Sequence, residues 1–125
     1  MKDEAPVVKR VLLKASELGL RLFRNNRGLF YTLDKKRKVR AGLEAEGSSD
    51  LIGIKTITIT PEMVGKEIGV FLAVEVKKPS WKKVSTTTEE NQQNFINQVI
   101  KRGGMGFFIN NHEDLEEKIR KCLTS

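Results

Sequence analysis

The sequence has little of what several classes of protein require. It contains one cysteine in 125 residues, which excludes an intrachain disulfide and a cysteine-rich zinc site. No apolar run approaches the ~20 residues of a membrane-spanning helix. The first ten residues, MKDEAPVVKR, lack the apolar core of a secretion signal. We therefore expect a reducing, cytoplasmic setting and no membrane partner.

Internal repeats and low-complexity linkers are also missing from the chain. The length suits one domain with one modest core, so a single domain over residues 1–125 is expected. The hydrophobic content of 38% and the charged content of 31% are typical of a folded chain rather than a disordered one.

Positive charge is what the sequence has in excess. The formal net charge is +7, and a basic surface on a small domain is the usual mark of a nucleic-acid binder, although many basic domains bind nothing acidic. The charge is densest at KKRK, residues 35–38, with Arg40 close behind. This cluster is either a solvated hairpin tip or an arm that contacts phosphates.

Apolar spacing and capping residues predict three helices. The first is expected over residues 3–18, with Asp3 as its N-cap and Gly19 at its carboxyl end. The second is expected over residues 89–102, capped by Thr88. The third begins at Asn111 or His112.

Strands are predicted between these helices from runs of alternating or continuous apolar residues. They are expected over residues 20–23, 29–31, 50–60, 67–77 and 105–109. Residues 25–28 and 61–65 are expected to form turns. The order of elements predicts an α/β sandwich around a mixed β-sheet flanked by helices.

A carboxylate and a lysine stand at the end of one apolar strand, in FLAVEVKKP, residues 71–79. An antiparallel hairpin of strands 50–60 and 67–77 would place Asp50 opposite Glu75, and Lys77 would share that face. Leu72, Val74 and Val76 would then face the core. The register could also slip by one residue, which a β-bulge would correct.

This arrangement suits metal-assisted phosphodiester hydrolysis. Two adjacent carboxylates repel each other unless a cation lies between them, and Mg²⁺ prefers one or two carboxylates with waters and phosphate oxygens. A nearby lysine can orient or help deprotonate water, or neutralise phosphate charge. A surface ion pair is the alternative for Asp50, Glu75 and Lys77. Glu4 could add a carboxylate, or serve only as a first-turn acid favoured by the helix dipole.

Three ordered segments resemble the PD-(D/E)xK nuclease superfamily, and more narrowly the VRR-Nuc (virus-type replication-repair nuclease) domain. They are GSSDLIGI at 47–54, EVK 25 residues after Asp50, and QNFINQVIKRGGMGFFI at 93–109. The resemblance covers nearly the whole chain, from Glu4 to the last helix. It implies a restriction-endonuclease-like sandwich with an αβββαβα-type order of elements.

The resemblance also implies roles for individual residues. Asp50 and Glu75 would bind Mg²⁺ or Mn²⁺, with the backbone carbonyl of Val76 as a further ligand, and Lys77 would be the catalytic lysine. Glu4 matches an acidic position in the first helix of the family, and Gln92 matches a glutamine position in the second helix. Ser49 stands where the superfamily name has proline, which is usual in this branch.

Small stand-alone members, including phage-type ones, resemble Holliday-junction resolvases that act as homodimers. The resemblance therefore implies a structure-specific DNA endonuclease acting on branched, four-way DNA, in the cytoplasm of a bacterial host if the protein is phage-encoded. Two alternatives stay open. One is a flap- or duplex-cutting nuclease of the same superfamily, and the other is a non-catalytic DNA-binding module.

Candidate DNA contacts are polar or basic residues near the predicted turns and the strand end. They are Arg24, Asn25, Asn26, Arg27, Ser48, Ser49, Lys35, Lys36, Arg37, Lys38 and Lys78. For the first six, a purely structural role in a turn is the alternative. Trp81 is left open between loop packing, a dimer contact and base stacking.

Overall fold

A computed structural model of the chain describes residues 4–26, 28–43, 48–84 and 86–124. The chain divides into two compact units, Met1–Lys55 and Thr56–Ser125. Both units contain helix and strand, so the α/β class is confirmed. The single-domain organisation stays a prediction.

The first unit begins with helix α1, Glu4–Glu17, close to the predicted helix. Gly19 ends it with a left-handed backbone, φ 75°. The Gly19 N–H donates to Ser16 O at 3.1 Å and the Leu20 N–H donates to Ala15 O at 2.8 Å. This pair of bonds is a Schellman motif, which satisfies carbonyls at the helix end.

Among the described residues of the first unit, four strands follow and form two antiparallel pairs. β1 (Arg21–Arg24) pairs with β4 (Leu51–Ile54), and β2 (Gly28–Tyr31) pairs with β3 (Lys38–Ala41). The β2–β3 pair is the hairpin whose loop carries the basic cluster.

The second unit contains a β-α-β crossover. β5 (Leu72–Val76) and β6 (Met105–Ile109) are parallel neighbours joined by α2 (Thr87–Lys101). Parallel strands need such a crossover, and a helix usually provides it. A 3₁₀ turn at His112–Asp114 then leads into α3 (Leu115–Thr124), where the last helix was predicted.

Two glycines bring α2 close to this parallel pair. A Cβ on Gly106 would lie 2.8 Å from Ile96 Cγ2, and one on Gly104 would lie 2.6 Å from Val99 Cγ1. Ile96 and Val99 are 3% and 1% exposed. The closeness of helix and strands therefore depends on missing side chains in β6 and just before it.

Three details of the prediction are wrong. Residues 55–60 and 67–71 lie outside the strands, although their side chains suit a strand. Alternation shows only that a segment fits a pleated surface, and a strand also needs a partner for its backbone groups. The N-cap of α2 is Thr86, whose hydroxyl accepts from Glu89 N–H at 3.1 Å, and not Thr88. Three consecutive threonines can all cap, so the sequence does not choose among them.

The third error concerns the burial of Leu72, Val74 and Val76 on β5. Leu72, Val74 and Val76 are 42%, 37% and 72% exposed. The opposite face, with Ala73 and Glu75, lies toward α2. The alternation along the strand was predicted correctly, but the burial of its even-numbered residues was not.

Among the described residues the strands form three two-stranded sheets, β1–β4, β2–β3 and β5–β6. A single mixed sheet of restriction-endonuclease type stays a prediction. No helix in the described ranges is both long and apolar enough to cross a membrane.

Candidate active site

Glu75, Lys77 and Gln92 meet between β5 and α2. Gln92 Nε2 donates to Glu75 Oε1 at 2.8 Å, and Lys77 Nζ donates to Gln92 Oε1 at 2.7 Å. The ammonium nitrogen lies 4.0 Å from Glu75 Oε1. Gln92 therefore bridges the carboxylate and the lysine, with one end of its amide on each.

The local backbone explains why these side chains meet. Glu75 and Lys77 are two residues apart on an extended segment, so they share a face. The Lys77 N–H donates to Ile109 O at 2.8 Å, which continues the β5–β6 ladder past the end of β5. Gln92 lies in the second turn of α2 above that face. Its position depends on the close packing of α2 at Gly106.

The lysine is more enclosed than its partner. The side chain of Lys77 is 16% exposed and that of Glu75 is 36% exposed. The Lys77 ammonium also lies 5.4 Å from the centroid of the Phe108 ring. A pocket of about 490 Å³ opens beside Glu75 and Gln92, a volume typical of small-ligand sites.

Asp50 stands immediately before β4, in the first unit. Its backbone carbonyl accepts the Asn25 N–H at 2.8 Å. The Asn25 side chain donates to Ser49 O at 2.8 Å and to Ser48 Oγ at 3.2 Å, and it accepts the Leu43 N–H at 2.9 Å. Asn25 therefore fixes the segment that leads to Asp50.

The predicted site residues divide between the two units. Glu75, Lys77 and Gln92 are brought together in the second unit, while Asp50 belongs to the first. The position of Asp50 opposite Glu75 stays a prediction. Glu4 is the first residue of α1, and its side chain lies outside the described part of the chain.

Carboxylate oxygens are available for a hard cation. Within the described residues no three His, Cys, Asp or Glu side chains form a group that could hold a metal. Mg²⁺ does not require three, because it commonly keeps several waters and binds one or two carboxylates. Glu75, followed by the Val76 carbonyl, fits that modest requirement.

Several candidate DNA contacts have structural partners in the first unit. Asn25 is 8% exposed, and its amide makes the three bonds given above. Ser49 Oγ donates to Leu51 O at 2.8 Å, and Ser48 Oγ donates to Leu43 O at 3.4 Å. These bonds favour the alternative that the three residues shape the turn. Arg24 and Asn26 are exposed, whereas Arg27 lies outside the described residues.

The basic cluster lies in the β2–β3 hairpin loop and at the first residue of β3, Lys38. Lys35, Lys36, Arg37 and Lys38 are all exposed, and Lys35 has a left-handed backbone with φ 59°. Asp34 accepts the Lys36 N–H at 3.0 Å. A hydrogen bond from the Thr32 hydroxyl, with that from Lys36, lowers the pKa of Asp34 below its ordinary 3.8. Lys78 is also exposed, beside the site in the second unit.

Trp81 and Glu89 form a contact that the sequence did not predict. The indole N–H of Trp81 donates to Glu89 Oε1 at 2.7 Å, and the Val84 N–H donates to Glu89 Oε2 at 3.0 Å. The bond from Trp81 is the main cause that lowers the pKa of Glu89 below its ordinary 4.5. The T-x-x-E spacing of Thr86 and Glu89 is typical of a capping box. This spacing places Glu89 at the start of α2, but it does not indicate that the Glu89 carboxylate binds the preceding loop.

Comparisons with family models, with curated proteins and with solved structures find no match to this chain.

Proposed function

We propose that this protein is a Mg²⁺- or Mn²⁺-dependent DNA endonuclease that hydrolyses phosphodiester bonds. The observation that carries the proposal is the amide of Gln92, which joins Glu75 at 2.8 Å and Lys77 at 2.7 Å. A partly exposed carboxylate next to an enclosed ammonium offers a cation site and a hydrogen-bond donor within one cleft. The ordered resemblance to VRR-Nuc domains supports the same reading.

Asp50 and Glu75 would hold the cation, with the Val76 carbonyl and Glu4 as further oxygen ligands. The bound cation would neutralise charge on the phosphate undergoing attack. The NH₂ group of Gln92 would orient the Glu75 carboxylate by donating to one of its two oxygens. The remaining oxygen is then free to face the cation.

Lys77 would act on the attacking water or on a non-bridging phosphate oxygen. Its ammonium has three N–H donors, and one of them is taken by Gln92. A water oxygen forms the new P–O bond and loses a proton to solvent. The ester oxygen leaves with the bonding pair and takes a proton from water, so the reaction is a net hydrolysis.

The first test is nicking of DNA with and without EDTA, using Lys77→Ala, Glu75→Ala and Asp50→Ala. We expect Mg²⁺-dependent nicking by the wild type and a fall in kcat of about 10²- to 10⁴-fold for Lys77→Ala. Lys66→Ala removes the same charge from an exposed position in the second unit and should nick normally. Circular dichroism and thermal melting establish that each variant is folded. Wild-type cleavage by Lys77→Ala would contradict the proposed mechanism.

The preferred substrate is proposed to be a four-way junction, cut by a homodimer. A junction has two symmetric scissile sites, which suits a protein with two-fold symmetry. A panel of four-way junction, flap, duplex and single-stranded DNA would rank the substrates, and light scattering would measure the oligomeric state. Equal cutting of duplex and junction, or a monomer in the presence of junction, would contradict this part. Metal-independent DNA binding with no cleavage of any substrate would instead favour a non-catalytic DNA-binding module.

A further inference from the structure

The Lys77 ammonium is held on two sides. Gln92 Oε1 accepts one of its hydrogens at 2.7 Å. The Phe108 ring lies 5.4 Å from the nitrogen, inside the ~6 Å range of a cation–π interaction. The ring lies beside the ammonium and therefore restricts the conformations of the Lys77 side chain. The side chain is 16% exposed.

Phe108 is in turn supported by Trp81. The two ring centroids are 5.3 Å apart and the planes are tilted by 59°, which is a favourable arrangement for aromatic pairs. The backbone of Phe108 is fixed within β6, because Phe108 pairs with Glu75 in the β5–β6 register. Trp81 limits the rotation of the ring from the side of the loop.

Trp81 is fixed by Glu89. The Glu89 carboxylate accepts the indole N–H at 2.7 Å and the Val84 N–H at 3.0 Å, and the residue is only 9% exposed. Glu89 lies in the first turn of α2, one turn before Gln92. Both supports of the lysine, the amide and the aromatic pair, therefore depend on the beginning of the same helix.

We propose that Glu89, Trp81 and Phe108 are positioning residues for Lys77, holding its ammonium beside Glu75 and Gln92 for phosphodiester hydrolysis. The inference rests on the proposed nuclease function. Of the three, Phe108 contacts the lysine. Trp81 acts through Phe108, and Glu89 acts through Trp81 and through its negative charge.

Packing alone does not explain a carboxylate at this position. Burying a charged group is costly unless it has partners, and an apolar side chain could support the indole without that cost. Glu89 retains its charge, since Trp81 and Val84 hydrogen-bond to the carboxylate and the positive charges of Lys77 and Lys83 also lower its pKa. The negative charge attracts the Lys77 ammonium toward the aromatic pair.

The kinetic test compares Phe108→Leu with Phe108→Tyr, and Glu89→Gln with Glu90→Gln. Loss of the ring face should lower kcat for nicking about three- to tenfold, with KM for DNA changed less than about twofold because no DNA contact is removed. Tyrosine retains the ring face and should restore most of kcat. Glu89→Gln should lower kcat in the same way. Glu90→Gln removes the same charge from the neighbouring exposed residue and should not change kcat.

A second measurement is independent of catalysis. In the metal-free protein, the ring current of Phe108 should move the NMR signals of the Lys77 ε-methylene protons upfield. That shift should disappear in Phe108→Leu, decrease in Glu89→Gln and persist in Glu90→Gln. Should Phe108→Leu fail to fold, Trp81→Phe removes the indole N–H while keeping a ring against Phe108. It should reduce both the shift and kcat.

The outcomes separate the two proposals. Wild-type kcat in both Phe108→Leu and Glu89→Gln would overturn the inference and leave the nuclease proposal standing. Absence of metal-dependent nicking by the wild type would overturn the nuclease proposal. In that case the NMR shift decides the positioning of Lys77, and its absence from the wild-type protein would overturn the inference. A rise in KM for DNA alongside the fall in kcat, together with a lower melting temperature in Glu89→Gln, would indicate a merely structural role and would also overturn it.

Discussion

Side-chain amides position the acidic residues of this protein. Gln92 joins a carboxylate to an ammonium, and Asn25 fastens the segment before Asp50. An amide carries two donors and one acceptor on a rigid plane, so one group can satisfy partners of opposite charge. It does so without adding charge of its own, and Gln92 contacts only one oxygen of the Glu75 carboxylate.

Asn25→Ala should destabilise the protein, which the loss of a DNA contact alone would not do. The substitution removes three side-chain hydrogen bonds at a residue that is 8% exposed. We expect the free energy of unfolding in urea to fall by about 1–3 kcal/mol, because buried partners are left unsatisfied. Asn26→Ala, at the exposed neighbour, should change it by less than about 0.5 kcal/mol. Equal, small effects of the two substitutions would contradict a structural role for Asn25.

Single residues differ in how far the sequence predicts their positions. The shared face of Glu75 and Lys77 follows from the two-residue period of a strand, which needs no knowledge of the fold. Gln92 was assigned to the site by the resemblance to VRR-Nuc domains, and not by the spacing of α2. The bond from Trp81 to Glu89 could not be predicted, since it depends on the path of the irregular residues between β5 and α2. Asn25 was ambiguous because turn formation and phosphate contact favour the same residue type.

At the scale of elements, the site depends on how closely α2 approaches β5 and β6. Gly104 and Gly106 leave room for Val99 and Ile96. These contacts set the distance between α2 and the two strands. That distance in turn allows the Gln92 amide to reach Glu75. The GGMG sequence between α2 and β6 therefore has two roles. Gly103, with φ 95°, ends the helix, and the later glycines admit its side chains.

Gly106→Ala should displace α2 and weaken both stability and activity. The new Cβ would lie 2.8 Å from Ile96 Cγ2, and a buried β-branched side chain has little freedom to move. Overpacking of this kind costs about 1–3 kcal/mol, measurable by urea unfolding. Gly69→Ala is the matched control, because its Cβ would have no atom within 4 Å. Equal stability of the two variants would show that α2 does not depend on this contact.

The elements themselves were easier to predict than their pairing. The helices and the β6 strand begin and end near their predicted residues because glycines and capping residues mark their ends locally. Residues 55–60 alternate as well as any strand, yet they are irregular. Strand formation depends on a neighbouring backbone edge, and that information is not contained in the segment. For the same reason, the sequence alone did not show that Leu72, Val74 and Val76 of β5 are exposed.

For the whole molecule, most of the net positive charge and the Glu75–Gln92–Lys77 cluster lie in different units. The first unit holds 13 basic and 7 acidic residues, a formal charge of +6, and the second holds 10 basic and 9 acidic residues, a formal charge of +1. The Glu75–Gln92–Lys77 cluster belongs to the nearly neutral unit. We therefore expect DNA affinity to come mainly from the basic unit and the β2–β3 hairpin.

Removing charge from the hairpin loop should weaken DNA binding and make that binding less dependent on salt concentration. The chemical step should stay intact. Each phosphate contact contributes about 0.9 to the slope of log affinity against log salt concentration on duplex DNA. Lys35→Ala/Lys36→Ala should therefore reduce that slope by up to about two, with kcat at saturating DNA unchanged. Lys55→Ala/Lys66→Ala removes the same charge from two exposed residues outside the loop and should alter the slope much less. Fluorescence anisotropy across a salt series measures both pairs. Identical slopes for the hairpin variant and the wild type would mean that the loop is a solvated tip, because counterions are released only where lysines neutralise phosphates.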